Sequence, residues 1–320
     1  MRHLQLSVKR SFNGKAYLIL VGLLVPAVFA IQPYLLTITA TPYPGLWNIL
    51  LGAGIDLLLY AALGAAGFWL ASRLGLGMPF IEGWTKRKPA WNRLPGVAGI
   101  SILASVLLIL IKALDIAIAP IVIQISETQA ESSAVKEIVP PAWQGFLASF
   151  SAGITEENMF RLFGLTSLAW LCSLLFRSRS GRPGLWLLWT ANIVFALLFS
   201  LAHLPAASQM GIPLNAAIVI RTIIMNGAGG VVFGWLYLTF GLESAMMAHF
   251  SADVILHGFV PLVIQQADTT RSVITGGIVA FVMVLTVLWS IRAISRDRKQ
   301  FPPSADTDSK GQMMEPSIST

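Results

Sequence analysis

Long stretches without a charged side chain constrain the fold of this chain more than any other feature. Residues 16–55 contain no Asp, Glu, Lys or Arg, and neither do residues 183–220. A helix needs about 20 mostly apolar residues to cross a bilayer, so each stretch holds one or more membrane spans. Because 55% of the 320 residues are hydrophobic and 12% are charged, an ordinary soluble globular domain is excluded. We predict an all-α integral membrane protein.

The apolar segments and the breaks between them predict a bundle of about eight transmembrane helices with a polar interior cavity. A polytopic membrane domain is expected over residues 1–295. Residues 296–320 are charged, then rich in Pro and Ser, and are expected to form a disordered cytoplasmic tail. The predicted spans are 16–38, 46–72, 97–125, 142–176, 185–203, 214–240, 244–264 and 273–294.

Lys and Arg concentrate in segments that eight spans would place on one side of the membrane. These are the N-terminus, the linker 86–93, the turn 177–182 and residues 292–299. The positive-inside rule therefore predicts that both termini are cytoplasmic. The net charge of +7 is spread over these short segments, which excludes nucleic acid as a partner and leaves the lipid bilayer. The one cysteine, Cys172, excludes a disulfide framework.

Residues 149–161 place three ionisable side chains, Glu156, Glu157 and Arg161, inside an apolar span. Each costs about 3 kcal/mol at membrane depth on insertion scales, so it needs a partner or a function. Glu157 and Arg161 are spaced i,i+4 in the order that favours an ion pair. Neighbouring helical residues point about 100° apart, so the two glutamates should not face one target. Glu156 is then the carboxylate left without a local partner.

His203 lies at the end of the fifth predicted span, four residues after Phe199. A single histidine at a helix end is more often structural than catalytic. Its distance from the basic turn changes this interpretation, because Glu156 and His203 are each about 20 residues, or about 30 Å of helix, from that turn. An antiparallel hairpin would bring both side chains to the same depth.

A third polar group consists of His249, Asp253 and His257, whose i,i+4,i+8 spacing puts them on roughly one helical face. The structural interpretation is a polar stripe along a water-filled cavity, in which the carboxylate orients a histidine. The other membrane-depth charges are weaker signals, and two of them are spaced i,i+3, which favours a structural ion pair. They are Asp56, Lys112, Asp115 and Arg221, of which Lys112 and Asp115 form that pair.

Such residues support hydrolysis of a peptide bond. A carboxylate and an imidazole can hold a water molecule and remove its proton. A second imidazole can stabilise the oxyanion of the tetrahedral intermediate. The same groups are ordinary zinc ligands, so a divalent metal such as zinc is the alternative cofactor. If a metal is used, Glu156, His203, His249 and Asp253 are the candidate ligands.

Three motifs in order resemble the CPBP family of intramembrane proteases, which comprises CAAX proteases and bacteriocin-processing (Abi) proteins. The family patterns are EExxxR, FxxxH and HxxxN or HxxxD, and the resemblance covers about residues 142–257. It implies a fold like that of type II CAAX prenyl proteases, with a conical interior cavity, and a membrane-associated peptide or protein substrate, of CAAX type or another. Here the motifs read Glu156-Glu157-x-x-x-Arg161, Phe199-x-x-x-His203 and His249-x-x-x-Asp253.

The resemblance also implies a role for each matched residue. Glu156 and His203 would activate water, and His249 and Asp253 would line the oxyanion side. Glu157 and Arg161 would hold the site together. The family has been described both as glutamate-type and as metal-dependent, and the glutamate type is our leading interpretation. Asp253 stands where asparagine is commoner; it would be protonated, orient His249 or bind metal, because an ionised aspartate cannot donate to an oxyanion.

Two alternative functions stay open. The first is a non-catalytic immunity or scaffold protein, although a scaffold has no physical need for buried ionisable groups. The second is a proton-coupled transporter that uses Glu156, His203 and His249 as a relay, although no paired halves are visible in the sequence. The geometry of the site is open as well. His203 and His249 meet at one depth only if the fifth span stops mid-membrane or residues 204–243 are re-entrant or tilted.

Overall fold

A computed structural model describes residues 11–39, 42–126, 139–176, 184–209, 212 and 214–300, without the side chains of 115–126. Within these ranges the chain is helical and contains no strand, so the all-α prediction is confirmed. The helices are α1 (Gly14–Ala30), α2 (Gln32–Ile38), α3 (Leu46–Leu74), α4 (Pro79–Thr85), α5 (Leu94–Ser126), α6 (Ala142–Glu156), α7 (Thr166–Leu175), α8 (Leu185–Leu201), α9 (Leu204–Gln209), α10 (Ala216–Phe240), α11 (Leu242–Asp253), α12 (Val260–Ile264) and α13 (Thr269–Gln300).

Eight segments in the described part of the chain are long and apolar enough to cross a membrane, as predicted. The protein is therefore a multi-pass integral membrane protein. Two of these segments each contain a π-helical stretch that joins two α-helices. The stretch Glu157–Leu165 joins α6 to α7, and Val254–Phe259 joins α11 to α12. The eight segments are Gly14–Ile38, Leu46–Leu74, Trp91–Leu114, Ala142–Leu175, Leu185–Gln209, Ala216–Phe240, Leu242–Ile264 and Thr269–Gln300.

The last helix extends beyond the predicted start of the tail. Helix α13 continues to Gln300, so residues 296–300 are helical rather than disordered. Arg298 and Lys299 lie in its final turn, where positive charge complements the helix dipole. Residues 301–320, the N-terminal 1–10 and the basic turn 177–183 lie outside the described residues. The predicted bridge between Lys112 and Asp115 also does, because the side chain of Asp115 is not described.

Helices α8 and α10 pack antiparallel along most of their length. The side chain of Asn192 donates to the carbonyl of Val231, and Ser200 donates to the carbonyl of Ile223. Between these two contacts Gly230 lies against Ala196, and a Cβ on Gly230 would come within 2.8 Å of the Cα of Ala196. Small residues at such positions let membrane helices approach closely.

Helix α3 runs parallel to the segment that carries the paired glutamates. A Cβ on Gly67 would lie 2.7 Å from the carbonyl oxygen of Leu162, and a Cβ on Gly64 would lie 2.9 Å from Oδ1 of Asn158. The missing side chains therefore permit the contact. The amide of Asn158 also donates to the carbonyl of Tyr60 at 2.9 Å, which fixes the register of the two helices.

The turn between α10 and α11 lies inside the protein, beneath α4. Gly241 has φ +107°, a conformation that favours glycine. The next backbone N–H, of Leu242, donates to the carbonyl of Gly77 at 3.0 Å. A carboxylate oxygen of Glu243 accepts from the backbone N–H groups of Phe80 and Ile81 at 3.0 Å. His249 follows Leu242 by seven residues, so about 10 Å of helix α11 separates this buried turn from the imidazole.

Candidate functional site

The helix that carries the predicted motif changes its winding at the motif itself. It is α-helical up to Glu156 and π-helical from Glu157 to Leu165. The two glutamates were expected to face different targets, but both carboxylates approach His249. The wider π-turn reduces the angle between successive side chains, and the two nitrogens of an imidazole point in different directions. The expectation failed because it assumed regular α-helical winding and a target with a single contact point.

Glu157 and Arg161 form the predicted ion pair. Nη1 of Arg161 is 3.0 Å from Oε1 of Glu157, and both side chains are almost completely buried. Nη2 of Arg161 donates to the carbonyl of Gly230 at 3.3 Å, which ties the pair to α10. Removal of either partner from a buried ion pair strongly destabilises the protein, because the remaining charge is buried without compensation.

His249 is surrounded by three carboxylates. Its Nδ1 is 2.7 Å from Oε1 of Glu157. Its Nε2 is 3.4 Å from Oδ2 of Asp253 and 3.9 Å from Oε2 of Glu156. Because ionised carboxylates can only accept, this geometry suits a ring that donates from both nitrogens. His249 can thus present a hydrogen-bond donor beside Glu156.

Aromatic rings hold Arg161 and His249 in place. The guanidinium carbon of Arg161 lies 4.4 Å from the ring centre of Phe199 and 5.4 Å from that of Phe233. The ring of Phe233 also stacks on His249 at 4.8 Å, with an angle of 17° between the planes. Phe199 was identified from its motif, but Phe233 was missed. It is one apolar residue in an apolar span, and nothing in the sequence distinguishes it from its neighbours.

The predicted common level of Glu156 and His203 can be compared with the contacts between their two helices. Gly164 lies against the ring of Phe195, and four residues earlier Phe160 meets Phe199 edge to face at 5.2 Å. Between these two contacts, a step of four residues back along one helix matches a step of four forward along the other. One further step of the same kind would pair Glu156 with His203, and their common level stays a prediction.

The ring orientation of His203 defines its chemistry. Nδ1 is 2.7 Å from the backbone carbonyl oxygen of Phe199. A carbonyl oxygen can only accept, so Nδ1 carries the proton of the neutral ring and Nε2 presents a lone pair. This nitrogen is available to take a proton or to bind a metal. The ring of His203 also packs edge to face on Phe199 at 4.7 Å, which connects it with the aromatic group around Arg161.

Asp253 interacts electrostatically with His249, His257 and His203. The predicted i,i+4 relation between His249 and Asp253 is present. His257 follows in a π-helical turn, and its Nδ1 lies 3.5 Å from the hydroxyl of Tyr34 on α2. It therefore reaches the edge of the site rather than its centre. Imidazole and carboxylate are ordinary zinc ligands, although among the described residues no group of three such side chains is spaced to hold a metal ion.

Comparison with known protein families identifies the central part of the chain. Residues 138–255 match the family model described as "Rce1-like: Type II CAAX prenyl endopeptidase Rce1-like". The chain resembles this family over that region. The resemblance inferred from the three motifs is thereby confirmed, and the Rce1-like region includes Glu156, His203, His249 and Asp253. No curated protein and no solved structure matches the chain.

Proposed function

We propose that this protein is an intramembrane endopeptidase that hydrolyses a peptide bond of a membrane-associated peptide or protein. The match of the Rce1-like region supports a protease of the CAAX type in general. The observation that carries the proposal is the ring of His203, whose Nε2 presents a lone pair one turn beyond the contact of Phe199 with Phe160. Glu156 lies one turn before Phe160, so a carboxylate and an imidazole at a common depth would supply the two proton acceptors that activation of a water molecule requires.

In the proposed mechanism, Glu156 and His203 hold a water molecule between the carboxylate and Nε2. Transfer of a proton from this water to Glu156 or His203 produces the nucleophile, which attacks the carbonyl carbon of the scissile bond. The side chain that received the proton then donates it to the leaving nitrogen, so that the product departs as a neutral amine. The side chain of Glu156 is 30% exposed, which gives water access to it.

His249 supports the opposite side of the reaction. Its Nδ1 is held by Glu157, and its Nε2 points toward Glu156 and Asp253. With a proton on Nε2, His249 can donate a hydrogen bond to the oxyanion that develops on the substrate carbonyl. Asp253 is an acceptor beside this proton, so we assign it to the orientation of His249. Of the three roles considered for Asp253, this one uses the 3.4 Å contact directly.

The test is proteolysis by detergent-solubilised protein on a library of fluorogenic membrane peptides. Wild type, Glu156→Gln and His203→Ala are compared with and without a strong chelator. Cleavage that is lost in both variants but persists in chelator would support the glutamate-type mechanism. Cleavage that is lost in chelator and restored by zinc would make Glu156, His203, His249 and Asp253 the candidate metal ligands. A folded wild type that cleaves no peptide would contradict the proposal and favour the scaffold interpretation.

A further inference from the structure

Helix α3 contributes a side chain to the site that neither the motifs nor the mechanism above uses. Gly67 meets Leu162 and Gly64 meets Asn158, so α3 and the π-helical segment advance in parallel. One turn earlier on α3 is Tyr60, and one turn earlier on the other helix is Thr155. The hydroxyl of Tyr60 lies close to the side chain of Thr155, which agrees with this register.

Tyr60 is held in this position from two directions. Its carbonyl accepts a hydrogen bond from the buried amide of Asn158 at 2.9 Å. The carbonyl of the next residue, Ala61, accepts from the hydroxyl of Tyr17 on α1 at 3.0 Å. The phenol itself is half-buried and interacts electrostatically with Glu156 and with Asp56, which lies one turn away on α3. Tyr60 therefore faces the proposed general base from across the site.

The oxygen of Tyr60 can accept a hydrogen bond from a ligand. A tyrosine hydroxyl has two acceptor lone pairs, and the contact with Thr155 occupies at most one of them. The hydroxyl of Thr155 also donates to the carbonyl of Ser151 at 3.0 Å. At least one lone pair of the Tyr60 oxygen therefore remains available as a hydrogen-bond acceptor. This side of the site therefore presents hydrogen-bond acceptors from both Tyr60 and the carboxylate of Glu156.

An extended peptide carries the complementary groups. Each residue has a backbone N–H, and in the apolar part of a bilayer such a donor has no water to bind. A substrate that enters the site needs acceptors for the N–H groups next to its scissile bond. We propose that Tyr60 is a substrate-positioning residue, whose hydroxyl oxygen accepts a hydrogen bond from a backbone N–H of the peptide beside Glu156. This inference rests on the proposed peptidase function.

The experiment compares Tyr60→Phe with wild type on a peptide that wild type cleaves. Matched ester analogues replace one N–H at a time near the scissile bond, leaving the scissile amide intact. On the all-amide peptide, we expect Tyr60→Phe to raise KM roughly three- to tenfold, as for one lost neutral hydrogen bond, with kcat unchanged. For one ester analogue, wild type should show the same rise in KM, and Tyr60→Phe should add nothing to it.

The matched control is Tyr17→Phe, which removes a tyrosine hydroxyl bonded to α3 but outside the site. This control should leave KM unchanged, and thermal unfolding of both variants should show that they fold. If wild type cleaves and Tyr60→Phe has the same KM as wild type, the role of Tyr60 is refuted while the proposed function stands. The same holds if the effects of the substitution and of every ester are additive. If wild type cleaves nothing, both proposals fail.

Discussion

The two sides of the site both contain glutamate, but they differ in how far the charged side chains are buried and paired. One side, the closed wall, consists of Glu157, Arg161, Phe199 and Phe233. Its charges are almost completely buried, paired at 3.0 Å and covered by aromatic rings. The other side, the open wall, consists of Tyr60, Glu156 and His203. There Glu156 is 30% exposed, and among the described residues Oε2 of this carboxylate has no hydrogen-bond partner.

In the proposed mechanism, one helix carries both a structural carboxylate and a reactive one. Glu156 and Glu157 are adjacent and chemically identical, yet one completes an ion pair and the other faces the accessible side. A paired and buried carboxylate stabilises the bundle but is a poor proton acceptor for an added molecule. A carboxylate that is partly exposed and has no hydrogen-bonded partner at its Oε2 among the described residues is available for chemistry. His249 lies between the walls and contacts a carboxylate of each.

The largest expected effect comes from removing the open wall's carboxylate. Glu156→Gln should lower kcat/KM about 10³-fold or more, because an amide cannot act as a general base. The melting temperature should change little, because Glu156 is partly exposed and Nε2 of His249 is 3.9 Å from its Oε2, too far for a hydrogen bond. Peptide cleavage and thermal unfolding measure the two quantities. Asp268→Asn, a neutralisation in an exposed ion pair, is the control and should leave both unchanged. A matching fall in stability would contradict the separation of roles.

Breaking the closed wall should have the next largest effect, on folding. Arg161→Met keeps volume but leaves Glu157 buried without compensation, so the free energy of unfolding should fall by about 3–5 kcal/mol. Adding Glu157→Gln should recover part of this loss, because the buried charge is then absent. Denaturant unfolding in mixed micelles would measure both. Equal stability of Arg161→Met and wild type would show that the pair is not a structural element.

Asp253→Asn tests the contact between Asp253 and His249, the residue that lies between the two walls. Asparagine keeps an oxygen that can accept from Nε2 of His249, so we expect kcat/KM to change by less than about tenfold, the value of one hydrogen bond. If Asp253 is instead a metal ligand, the loss should be much larger and added zinc should reverse part of it. Kinetics at several zinc concentrations distinguish the two outcomes.

The smallest expected effect concerns the aromatic cover. Phe233→Leu removes the ring that stacks on His249 and packs near Arg161, at an expected cost of about 1 kcal/mol in unfolding free energy. Phe281→Leu is the matched control, because Phe281 is largely exposed on the outer face of α13. Its stability should match wild type in the same unfolding assay. An equal loss in both variants would indicate a general effect of ring removal.

The amino-acid sequence alone determined the class and most of the helix boundaries. A bilayer leaves a hydrophobic chain few alternatives to helices, because every backbone polar group must be satisfied within the protein. Apolar runs and the breaks between them therefore marked most of the spans to within a few residues. The spacing of Glu157 and Arg161, and of His249 and Asp253, also predicted their contacts, because i,i+4 neighbours share a helical face whatever surrounds them.

Tertiary structure decided how these local pairs combine. The π-helical segment that brings both glutamates toward His249 packs against α3 and α10, and no local spacing encodes this packing. The depth of His249 depends on the burial of the turn at Gly241 beneath α4, where Gly77, Phe80 and Ile81 bind it. Phe233 and Tyr60 reach the site only because distant segments meet there. Contacts between residues far apart in the chain are set by the packed bundle as a whole, and a local pattern carries no record of them.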